Sequence, residues 1–120
     1  MALSIKPYIE NKERIHLIGI GGVSMNSLGE LLLSRGVPIS GSDRLRTDVT
    51  ARLEALGAKI TYEHKPENVE GASLIVRTAA VHDDNPEIVR AHELGIPVME
   101  RAEAWGHLMR DYDNVVCLAG

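Results

Sequence analysis

The feature that most constrains this chain is the run His16-Leu17-Ile18-Gly19-Ile20-Gly21-Gly22-Val23-Ser24-Met25, where an apolar stretch breaks into glycines and resumes at helical spacing. Ile15 to Ile20 reads as a β-strand. Met25, Leu28, Leu31 and Leu32 then recur on one helical face, and Gly36 stands just past the end of that helix. A strand that turns through glycines into a helix gathers backbone N–H groups at one point, where they can hold a phosphate. Gly19, Gly21 and Gly22 make the turn; Val23, Ser24 and Met25 are the first helical positions. A dinucleotide fingerprint would put its third glycine where Ser24 stands and needs no Gly22. The run therefore predicts a phosphate-binding turn and argues against NAD as its ligand.

The alternation continues along the chain. Pro38 to Ser42 reads as a second strand with Asp43 just beyond it, and Thr47 or Asp48 caps a helix running towards Leu56 and closed by Gly57. Lys59 to Tyr62 is a third strand, followed by a looser segment through Pro66 and Gly71 with room for one helical turn. Leu74 to Thr78 is a fourth strand. Asn85-Pro86-Glu87 is a helix start, with a capping side chain, a proline at the first position and an acid in the first turn. That helix carries Ile88, Ala91 and Leu94 and ends at Gly95. Pro97 to Met99 is a fifth strand, Ala102, Trp105, Leu108 and Met109 mark another helix, and Val115 to Ala119 is a sixth strand. The pattern predicts an α/β chain: a Rossmann-like, doubly wound parallel sheet of five or six strands in a single domain over residues 1–120. With 44% hydrophobic residues but only 3% aromatics and no Phe, the core must be aliphatic, which suits buried parallel strands.

Charge and side-chain chemistry exclude several function classes. A net charge of −4 argues against a nucleic-acid partner, which would call for a basic face. Cys117 is the one cysteine, so no intrachain disulfide can form; within Val115-Val116-Cys117-Leu118 it reads as a small buried hydrophobe. No apolar stretch has membrane length, and the N-terminus lacks the apolar core of a signal peptide, so a cytoplasmic protein without a membrane partner is expected. Histidines at 16, 64, 82, 92 and 107 show no metal-ligand spacing, and His82-Asp83-Asp84 reads as an exposed loop, so no metal site is expected. No nucleophile elbow or thiol–histidine arrangement is visible, and no catalytic residue is assigned.

Candidate binding residues cluster where an open α/β sheet holds its ligands, beyond the C-terminal ends of the strands. Asp43 lies about 20 residues past the glycine loop, where an acid accepts hydrogen bonds from a ribose or a base; the alternative is a turn-forming aspartate. Arg44 could reach a phosphate. Thr78-Ala79-Ala80-Val81 follows the fourth strand, which the expected order sets beside the first, and the small Ala79 and Ala80 serve either ligand space or tight packing. Asn85 is read as a helix cap.

Taken in order, these segments resemble the Mur ligase family. The glycine run, Ser40-Gly41-Ser42-Asp43, Leu53 with Gly57-Ala58 and then His64, Asn85-Pro86-Glu87-Ile88, and Ile96-Pro97-Val98 through Arg101-Ala102-Glu103 all match, across nearly the whole chain. The resemblance is to the member that joins L-alanine to UDP-N-acetylmuramate in peptidoglycan synthesis, using ATP and Mg2+. It implies three domains, of which this chain is the first: a UDP-binding domain with no cofactor of its own and not catalytic alone. Ending at Gly120, flush with a strand, the chain is expected to be cut from a longer protein in which a Gly-Lys-Thr loop follows. The resemblance places Gly19, Gly21, Gly22, Val23, Ser24 and Met25 on the diphosphate and Ser42 and Asp43 on the uridine. His64, Thr78, Ala79, Ala80 and Val81 would line the cleft. Ser24, Asn26, Gly29 and Glu63 depart from the commoner pattern of glycine, serine, alanine and glycine. Two readings stay open beside it: a related murein-recycling ligase, whose glycine loop lacks the Gly21-Gly22 pair, and an NAD-binding redox or regulatory domain.

Overall fold

The computed structural model describes residues 5–78 and 80–106. Its central strand, β1 (Ile15–Ile18), is buried along its whole length. The strand stops two residues earlier than the apolar run suggests, because Gly19 turns the backbone with φ +78, a conformation side chains disfavour. The chain then enters α2 (Val23–Ser34), preceded in sequence by a five-residue helix, α1 (Lys6–Glu10), too short to announce itself by periodicity. Strand β2 (Ile39–Ser42) pairs in parallel with β1, from Ile15 opposite Ile39 to Ile18 opposite Ser42.

Helix α3 (Asp48–Ala55) starts at Thr47, which exchanges side-chain and backbone hydrogen bonds with Thr50. Strand β3 (Lys59–Thr61) follows, then a 3-10 turn (Pro66–Val69), β4 (Leu74–Arg77), α4 (Pro86–Leu94) and β5 (Val98–Glu100). Residues 101–106 are helical. The sheet runs β3-β2-β1-β4-β5 with every pairing parallel, the doubly wound arrangement expected from the sequence. Ala79, Leu108, Met109, Cys117 and the expected sixth strand lie outside the described residues.

Alternation along the strands sorts the two faces. Ile15 and Leu17 of β1, Ile39 of β2 and Leu74 and Val76 of β4 join Leu28 and Leu32 of α2 and Leu53 of α3 in one aliphatic core. The opposite face holds Ile18, Ile75, Val69 and, from α4, Ile88 and Ala91. That second face also buries polar groups: His16 of β1 and Ser40 and Ser42 of β2. Buried polar groups need partners, and the residue that satisfies them comes from α4.

Candidate functional site

The glycine turn is held from below by β2. Gly19 and Ile20 both donate their N–H to the Ser42 carbonyl, at 2.8 and 3.1 Å, and Gly22 N–H closes the turn on the Gly19 carbonyl at 3.0 Å. Gly21 N–H donates to Asp43 Oδ2 at 2.8 Å. A β-carbon on Gly21 would lie 2.7 Å from that oxygen and 3.0 Å from Thr50 Cγ2, so the approach requires glycine. Gly22 is the N-cap of α2, which has no side-chain cap and no acid in its first turn. The N–H groups of Val23, Ser24 and Met25 thus have no acceptor within the helix. Asn26 ties the same turn from behind, donating from Nδ2 to the carbonyls of Gly22 and Val23 at 2.8 and 2.9 Å.

Beside this turn lies a cleft of about 680 Å³. Gly19, Arg44 and His64 line it, together with Thr78, Ala80, Val81, His82 and Asp84 after β4 and Asn85 and Pro86 at the start of α4. Five residues singled out from the sequence as ligand contacts therefore meet in one place: Gly19, His64, Thr78, Ala80 and Val81. Arg44 has no ion-pair partner among the described residues. Arg77 shapes the wall after β4, reaching Asp83 at 2.5 Å and the Thr78 and Val81 carbonyls. That guanidinium holds the Asp83 carboxyl below the usual carboxylate range.

Other expected contacts are redirected. The Met25 side chain is in the aliphatic core, leaving only its N–H for a ligand. Ser42 is fully buried and donates its hydroxyl to Glu87 at 2.9 Å, so its side chain supports the cleft from inside. Asp43 accepts from Gly21 N–H and, through Oδ1, from the N–H groups of Arg44 and Leu45, at 2.7 and 3.4 Å. It is a brace between the glycine turn and the segment after β2. Asn85 is the cap expected of it, accepting from Glu87 N–H at 2.9 Å.

The residue the sequence reading missed is Glu87, taken there only as an acid in a helix first turn. Its side chain is fully buried and receives four side chains. Oε1 meets His16 Nε2 at 2.5 Å and Ser42 Oγ at 2.9 Å; Oε2 meets His64 Nδ1 at 3.1 Å and Asn68 Nδ2 at 3.3 Å. His16 Nδ1 continues to Ser40 Oγ at 2.9 Å, which accepts from Arg14 Nε at 3.0 Å. Burial pushes the Glu87 carboxyl up, but the hydrogen bonds from His16, Ser42 and Asn68 outweigh it and hold the group below its ordinary range. A lone histidine inside a strand buried on both faces is the signal that could have raised the question of its partner.

Among the described residues, no group of three or more His, Cys, Asp or Glu is placed to hold a metal ion, and no helix is long and apolar enough to cross a membrane.

Residues 14–113 match the family described as "Mur ligase family, catalytic domain". The chain is 48% identical over 108 residues to the UDP-N-acetylmuramate–L-alanine ligase of Alkaliphilus metalliredigens, covering 90% of this chain and 24% of that protein. It thus spans about a quarter of that curated relative's length. Among solved structures it resembles the UDP-N-acetylmuramate–alanine ligase of Thermotoga maritima, with TM-score 0.73, 38% identity, and coverage of 83% of this chain and 22% of that one. A murein peptide ligase from Psychrobacter arcticus matches with TM-score 0.68 and 25% identity, over 72% of this chain and 18% of that one.

Proposed function

Because the chain belongs to the Mur ligase family, we propose that it is the nucleotide-sugar-binding domain of a cytoplasmic, ATP-dependent ligase that joins L-alanine to UDP-N-acetylmuramate in peptidoglycan synthesis. One observation carries the binding role: an uncapped helix start, over a glycine turn braced by Asp43, at the C-terminal edge of β1 beside the cleft. The diphosphate takes the N–H groups of Val23, Ser24 and Met25, with Gly21 and Gly22 allowing its close approach and the helix dipole favouring its charge. Arg44, exposed on the cleft wall, adds a positive charge. The nucleoside lies against His64, Thr78, Ala80 and Val81, and Asp43 keeps lone pairs for it.

The higher identity to the alanine ligase than to the murein peptide ligase favours L-alanine over a tripeptide as the parent's second substrate. L-Alanine, ATP and Mg2+ belong to the full-length protein. Of the described acids near the cleft, Asp43 serves backbone N–H groups, Glu87 serves His16, Ser42, His64 and Asn68, and Asp83 pairs with Arg77; Asp84 is left alone on the lining, and no group of three or more described His, Cys, Asp or Glu is placed there to hold Mg2+. This domain therefore binds and orients the nucleotide end of the substrate. Calorimetric titration tests the reading: the chain is expected to bind UDP-N-acetylmuramate and UDP and to ignore NADH. Binding of NADH but not UDP-N-acetylmuramate would sink it.

A further inference from the structure

We propose that Glu87 is a positioning residue: in the neutral imidazole of His64 it fixes the proton on Nδ1, so that Nε2 meets the cleft as an acceptor for a hydroxyl or N–H of the nucleotide, not for its phosphates. Two acceptors face His64 Nδ1. One is Glu87 Oε2 at 3.1 Å, and the other is Ser42 Oγ at 3.2 Å, whose own hydrogen is already given to Glu87 Oε1. A ring nitrogen flanked by two acceptors must carry the proton. His64 lines the cleft with 18% of its side chain exposed, and with Nδ1 turned inward the nitrogen left for a ligand is Nε2.

The same carboxylate imposes the opposite tautomer on His16. There Nε2 meets Oε1, while Nδ1 faces Ser40 Oγ, which accepts from Arg14 and so has its hydrogen free for Nδ1. The donors run one way from Arg14 through Ser40 and His16 to Glu87. With Ser42, His64 and Asn68 they saturate both carboxylate oxygens. An unprotonated Nε2 has nothing to offer an ionised phosphate oxygen, which only accepts; a ribose hydroxyl or a base N–H fits it. The inference rests on the nucleotide-binding reading for the ligand's identity, and on the network alone for the tautomer.

Long-range proton–nitrogen NMR of the nitrogen-15-labelled chain at pH 8, assigned with His64→Gln, tests both parts. The expected result is a protonated Nδ1 on His64 and a protonated Nε2 on His16. A protonated Nε2 on His64 in the free chain overturns the inference and leaves the nucleotide reading standing. Adding uridine or UDP is expected to shift His64 Nε2 and not His16, whereas inorganic pyrophosphate leaves Nε2 in place. A pyrophosphate shift as large as that of uridine defeats the acceptor role. Correct tautomers with no response to UDP count against the nucleotide reading and against His64 as its acceptor. Glu87→Gln puts a donor into the network and is expected to move the His64 proton and weaken UDP binding by about tenfold. If that variant does not fold, the wild-type spectra decide alone.

Discussion

Helices α2 and α4 both begin beside the cleft, yet their first turns are built in opposite ways. At α4 the first turn is served from within: Asn85 caps the Glu87 N–H, Pro86 removes a donor, and Glu87 turns inward to close a buried hydrogen-bond network. At α2 the cap position is Gly22, no side chain takes the free N–H groups, and Val23 stands 86% exposed at the first position. One start is spent on holding the fold; the other keeps its donors for something outside the chain. If that division is real, substitutions at α4 should cost stability first and those at α2 should cost binding first.

Glu87→Ala should give the largest effect. It strands the buried His16 and Ser42 and takes an acceptor from the half-buried His64 and Asn68, and removing one partner of a buried pair costs about 3–5 kcal/mol. Since small domains hold only about 5–15 kcal/mol, urea denaturation should find this variant close to unfolding. Acid sharpens the same point. The Glu87 carboxyl is held below its ordinary range in the folded chain, so its contribution is complete above that range and is lost as pH falls through it to the folded value. The stability gap between the wild type and Glu87→Gln should therefore narrow in acid. A gap that does not change with pH would show that the Glu87 charge is not what the network stabilises.

Gly21→Ala tests the other start. Its β-carbon meets Asp43 Oδ2 and Thr50 Cγ2, and overpacking of this kind costs about 1–3 kcal/mol. Pushing the turn off Asp43 should also weaken UDP binding by about tenfold, or about 1.4 kcal/mol. A destabilised variant with unchanged affinity would reduce the turn to scaffolding.

The two starts were also unequally legible in the sequence. Glycine turns, caps and apolar spacing act within a few residues, so β1, α2, the Asn85 cap and, to within one residue, the Thr47 cap could be read directly, and the alternation of strands and helices gave the sheet. The role of Glu87 could not, because its partner His16 is 71 residues away and meets it only after α4 packs on the sheet. The inward turn of the Ser42 and Met25 side chains was hidden for a related reason: proximity in sequence to a ligand loop does not say which face a side chain takes. Helix α1 was missed because five residues carry no period.

Asn85→Ala removes the cap on Glu87 N–H and should cost about 1 kcal/mol in urea unfolding. A loss well below that would mean that the Glu87 network holds the α4 start without help from the cap.

Val23→Asp is expected to have the smallest effect on stability, and its sign separates the two starts. Valine and aspartate have similar helix propensity, so at this exposed position the change is mainly electrostatic. A negative charge at the first position of α2 interacts favourably with the helix dipole and should raise stability by about 0.5 kcal/mol in low salt. The same charge repels a diphosphate, so UDP should bind more weakly, and added salt should shrink both changes together. An ordinary exposed helix start would show the gain in stability and no effect on UDP. Gain and loss in one variant would mean that the anion stabilising the bare start of α2 is the ligand's own, which is why the chain supplies none there.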